Sequence, residues 1–169
     1  MTKTFGIITD TCSGMPPEFY EEHGVAVLPL GYTLDGVTYG GADGGSMPIR
    51  DFYQKLREGA DCHTFQVTAE QVRPCIEKSF REGRDVLAVV FSSALSGTAS
   101  SFSVAATSLV ENYPGRKALV LDSMGGSMGE GMLLEYLLKE AEKGASLEET
   151  YEYGEQMKRH IQHLFTVDD

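Results

Sequence analysis

The sequence predicts an α/β fold, a mostly parallel sheet with helices on both faces. Three observations carry that prediction. Strand-like runs alternate with helical stretches of roughly 10–15 residues, the pattern of βαβ units. Asp85-Val86-Leu87-Ala88-Val89-Val90-Phe91 and Lys117-Ala118-Leu119-Val120-Leu121-Asp122 are almost unbroken apolar runs, as strands covered on both faces are. Several of the runs end in small, hydroxyl-bearing or turn-forming residues.

The elements follow in order. Thr4-Phe5-Gly6-Ile7-Ile8 favours a strand and stops at the turn formers Thr9 to Gly14. Residues Pro16 to Gly24 read as a short helix, with proline at its start and glycine at its end. Val25 to Leu30 is the second strand. A glycine-rich region from Gly31 to Ser46 follows, and its Leu34-Asp35-Gly36-Val37 predicts a turn or hairpin. Ile49, Phe52, Tyr53 and Leu56 then share one helical face.

Thr68 and Gln71 fit a capping box, ahead of a stripe of Val72, Cys75, Ile76, Ser79 and Phe80. Pro74 lies past the first turn, so a kink or a later helix start is expected. The strand at 85–91 leads through the small residues Ser92 to Thr98 into another helix. The strand at 117–122 leads through Ser123-Met124-Gly125-Gly126-Ser127 into a long helix. There Leu133, Leu137 and Ala141 share a face and Gly144 is the stop. Leu147 to about Gln162 is helical again, and Leu164-Phe165-Thr166-Val167 reads as a final strand.

The chain has 169 residues, which suggests one domain with a little left over. Its 14 basic and 25 acidic side chains give a net charge of −11, and the sequence pI is near 4.7. That balance opposes an electrostatic grip on nucleic acid or anionic membrane. No apolar run reaches the roughly 18 residues of a membrane span, and no signal-peptide core opens the chain. A cytoplasmic location is therefore expected. Cys12, Cys62 and Cys75 form no metal-like pattern and read as free thiols. No basic residue stands near Cys12 in sequence to activate it.

In an open α/β sheet, ligands bind beyond the carboxyl ends of the strands. Three such ends carry polar residues here: Thr9-Asp10-Thr11, Ser92-Ser93 and Asp122-Ser123. Ser92-Ser93-Ala94-Leu95-Ser96-Gly97-Thr98 joins a buried strand to a helix N-terminus, a place suited to an anion. The same serines would also serve simply as caps. Gly125-Gly126-Ser127-Met128-Gly129 matches the G-x-S-x-G of a hydrolase nucleophile elbow, with Ser127 as nucleophile. Too little chain follows for the acid, histidine and further sheet that such an enzyme needs. No metal site is expected, since His160 and His163 lack a third ligand and read as a solvated helix face. His63 reads as closing a turn. No nucleotide-phosphate motif is present, and no cofactor is implied. The acidic residues, spread along helix faces, read as solubility.

Several segments together resemble the DegV family. They are Ile8-Thr9-Asp10-Thr11-Cys12-Ser13, Pro16-Pro17-Glu18, Val27-Leu28-Pro29-Leu30, Asp35-Gly36-Val37-Thr38-Tyr39, Phe52-Tyr53-Gln54-Lys55-Leu56 and Thr64-Phe65-Gln66. Phe91-Ser92-Ser93-Ala94-Leu95-Ser96-Gly97-Thr98, Leu121 to Gly131 and Leu164 to Asp169 complete the set. The resemblance implies a non-catalytic carrier that holds a long-chain fatty acid for a fatty-acid kinase subunit. It implies that Thr64 and Ser93, or less directly Ser92, bind the acyl carboxylate, and that no residue is catalytic. It further implies that residues 1–158 form the N-terminal α/β domain and 159–169 begin a second, largely missing one. Where family members commonly carry serine and proline around Gln66, this chain has Phe65 and Val67.

Overall fold

The computed structural model describes residues 4–41, 45–164 and 166. Four parallel strands form the main sheet: Phe5–Asp10 (β1), Val25–Leu28 (β2), Asp85–Val90 (β6) and Ala118–Asp122 (β7). Their order is β2-β1-β6-β7. Strand alternation explains why the apolar runs are unbroken, because each face of the sheet has its own core. Ile8, Val86, Ala88 and Val90 pack under Ala69–Arg81 (α3) and Thr98–Asn112 (α4). Phe5, Ile7, Leu87 and Val89 pack under Ser127–Glu142 (α5) and Leu147–Met157 (α6), with Pro17–His23 (α1) alongside. The fold class is as the sequence predicts.

The glycine-rich region forms a second sheet that the sequence pattern does not predict. Gly31–Leu34 (β3), Val37–Gly40 (β4) and Cys62–Phe65 (β5) are antiparallel in the order β4-β3-β5. Asp35 and Gly36 both have positive φ, 49° and 79°, which is the two-residue hairpin expected there. Pro29 lacks an N–H for a ladder, and β2 ends before it. His63 lies in β5 opposite Thr33, so it is a strand residue and closes no turn. Ile49–Arg57 (α2) touches this sheet through Phe52, whose ring is edge-on to Tyr32, and buries none of its residues.

Two helix expectations change. α3 begins at Ala69, behind a complete Thr68–Gln71 capping box, and continues through Pro74 as one helix. Pro74 is exposed, as is Glu70, whose carbonyl loses its intrahelical partner on the wet side of the helix. α6 stops at Met157, so His160 and His163 lie beyond it. The strand expected at 164–167 falls partly outside the described residues.

Candidate functional site

β1 pairs with β2 on one side and β6 on the other, which places the switch point at the carboxyl ends of β1 and β6. All three polar strand ends meet there. At the end of β1, Asp10 is fully buried and its two oxygens accept backbone N–H groups. Oδ1 takes Cys12 at 2.8 Å and Oδ2 takes Phe91 at 2.9 Å. Burial pushes its carboxyl above the ordinary value, and these two bonds oppose the shift only in part. Burial and the Asp10 charge push the adjacent Cys12 thiol up to about 12, which favours the protonated thiol over the nucleophilic thiolate.

The loop after β6 presents its two serines differently. Ser92 is buried and committed to the loop: its N–H donates to the Gly125 carbonyl at 3.0 Å. Its carbonyl accepts from Leu95 and Ser96, and its hydroxyl from the Ala94 N–H. Ser93 is exposed. Its N–H donates to Asp122 Oδ1 at 3.2 Å and its hydroxyl to Asp122 Oδ2. Met124 N–H adds a bond to Oδ1 at 2.9 Å. Burial would raise the Asp122 carboxyl, but these donors and the nearby Lys158 ammonium outweigh it and hold it low.

This corrects the helix-terminus reading. α4 starts at Thr98 with Gly97 as its cap, so Ser93 sits in the turn before it and neither Ser92 nor Ser93 caps the helix. Its donors face a carboxylate, not the open end of a helix. Thr64 is exposed on β5, opposite Tyr32. Two residues on, Gln66 lies against Gly97, where any side chain would collide with its amide, and donates to Ser101 Oγ at 3.3 Å. The Thr64 segment and the serine loop thus share one rim. Among the described residues no hydrogen bond joins Thr64 to Ser92 or Ser93.

Ser127 opens α5 with a φ of 52° and is exposed. Its Oγ is turned toward Gly14, 3.7 Å from where a Cβ on that residue would stand. Among the described residues it has no hydrogen bond to a histidine. The His163 ring instead fills a cradle over Gly125 and Gly129, where a methyl group on either glycine would run into it. His163 is exposed, as expected, but lies beyond α6 and not on a helix face. The described residues include no cluster of three potential metal ligands and no helix long and apolar enough to cross a membrane.

The sequence model of the DegV family, described as one of uncharacterised proteins, matches residues 4–169. The chain belongs to the DegV family. A DegV domain-containing protein of Clostridium perfringens is 32% identical over 166 residues, 98% of this chain and 57% of that protein. A solved fatty-acid-binding DegV family protein from Thermus thermophilus superposes with a TM-score of 0.80 at 30% identity. The match covers 94% of this chain and 54% of that one. A stearic-acid-binding protein from Eubacterium ventriosum, 22% identical, shares the fold with a TM-score of 0.80 over 89% of this chain and 52% of that one. The chain therefore spans little more than half the length of each of these proteins.

Proposed function

We propose that this DegV domain binds the carboxylate of a long-chain fatty acid at the end of β6, with Ser93 and Thr64 supplying hydroxyl donors. The observation that carries the reading is the Ser93–Asp122 contact. A backbone N–H and a hydroxyl on one exposed residue already hold a carboxylate in two-point fashion. An incoming acyl carboxylate needs the same donors and takes them from Asp122 by exchange. Charge-assisted hydrogen bonds suit that exchange, and the tail adds roughly 0.8 kcal/mol per buried CH₂. Ser92 supports this arrangement from below. The Thermus relative, solved with the same fold at 30% identity, is a fatty-acid-binding protein, which favours the same ligand class here.

The role we infer is that of a carrier in the cytoplasm, presenting the acid to a fatty-acid kinase subunit without transforming it. In this reading residues 159–169 lead from the N-terminal domain toward a second one. The competing hydrolase reading needs a base hydrogen-bonded to Ser127; the His163 ring lies over the flanking Gly125 and Gly129, but among the described residues no hydrogen bond joins it to Ser127.

Mass spectrometry of organic extracts from the purified protein tests the proposal. A long-chain fatty acid in the wild type, much reduced in Ser93→Ala and retained in Ser127→Ala, is the expected result. An extract without fatty acid, from a protein that also fails to take up added oleate, overturns it.

A further inference from the structure

Glu130 breaks the apolar pattern of α5. It precedes Leu133, Leu134 and Leu137 by three, four and seven residues, and so shares their inward face. Its exposure is 0%. Oε1 accepts the Thr9 hydroxyl at 3.3 Å, and Oε2 has no hydrogen-bond partner among the described residues. Gly131 brings α5 so close to the turn after β1 that any side chain there would strike the Ser13 carbonyl.

Among the described residues, the titratable groups facing Glu130 are all acids: Asp10 on β1, Cys12 on the following turn and Asp122 on β7. β6 meets α5 with the apolar Leu87 and Val89. Just past α6, the Lys158 ammonium goes to Glu155 and the Asp122 carbonyl. A carboxylate here would be desolvated, with one hydroxyl bond and no cation among the described residues.

We infer that Glu130 is a neutral, protonated acid in the folded protein, and that its ionisation unlatches α5 from the end of β1. The neutral acid lies against Asp10, and Asp10 holds the Phe91 N–H directly before Ser92. Charging Glu130 would set two carboxylates against each other under the serine loop. The consequence for ligand binding rests on the function proposed above.

Burial first, then the Asp10 charge, pushes Glu130 up to about 9, against 4.5 ordinarily. The folded protein therefore keeps a proton that the unfolded chain releases. This contribution to stability is complete below about pH 4.5, falls as pH rises, and is gone above about 9. The slope approaches tenfold in the folding constant per pH unit. Asp10, also raised, adds a slope of the same sign, which persists when Glu130 is replaced.

Urea unfolding at pH 6 and pH 8 compares the wild type with Glu130→Gln, which mimics the neutral acid. The wild-type folding constant is expected to fall up to about 100-fold more than that of the variant over this interval. Parallel pH dependences overturn the inference. Should Glu130→Gln fail to fold, infrared spectra of the wild type at pH 8 decide. A protonated-carboxyl band that moves on ¹³C-glutamate labelling supports the neutral acid, and its absence overturns it. For the latch, the Phe91 amide should exchange hydrogen faster above pH 9 in the wild type than in Glu130→Gln, and equal rates overturn that part. Every readout is ligand-free, so a protein that binds no fatty acid would sink the carrier reading and leave these results standing.

Discussion

Asp10 and Asp122 close neighbouring strand ends on either side of β6, and each carboxylate is clasped by backbone donors from the adjoining loops. Their carboxyl groups nevertheless shift in opposite directions, Asp10 up and Asp122 down. Burial prevails at Asp10, while at Asp122 the Ser93 hydroxyl, the two backbone donors and, least, the Lys158 ammonium outweigh it. Asp10 lies in a dry pocket beside a second acid, whereas Asp122 lies near the surface with an ammonium group close by. A buried clasp is a structural pin, because releasing it strands two N–H groups away from water. A surface clasp is exchangeable, because water or another carboxylate replaces the lost partner. That contrast places ligand exchange at Ser93 and denies it to Asp10.

The largest effect should follow from breaking the buried pin. Asp10→Ala leaves the Cys12 and Phe91 N–H groups unpaired, and chemical denaturation should show a loss of about 3 kcal/mol. A loss under about 1 kcal/mol would make the two clasps alike. Next comes Ser93→Ala, which removes a donor to a charged partner. Fatty-acid affinity should fall about tenfold, read by calorimetry, with thermal stability nearly unchanged. Asp122→Asn should act the other way, since it removes the charge that competes for Ser93. An affinity gain of about threefold is expected, and a loss would show that Asp122 assists the ligand. Ser127→Ala is the smallest: its hydroxyl faces Gly14, and affinity should stay within about twofold.

Much of the main sheet is legible because its signals are local. The run at 85–91, the Thr68–Gln71 box and the Asp35-Gly36 turn each act within a few residues. The second sheet is not, because Cys62-His63-Thr64-Phe65 is four residues long, mostly exposed, and paired with a strand about 30 residues earlier. Ser93 is legible as a polar residue at a strand end. That its donors hold Asp122 is not, since this depends on the β6–β7 register. Glu130 left a readable trace, a lone acid on the leucine face of α5, which the general reading of acids as surface charge passes over.

The most direct test of exchange at Ser93 is an amide NMR titration of the protein with a long-chain fatty acid, run beside its methyl ester. The Ser93 and Met124 amides, which share Asp122, should shift with the acid and not with the ester, while Cys12 and Phe91 stay in place. Shifts at Cys12 and Phe91 with none at Ser93 would contradict the account.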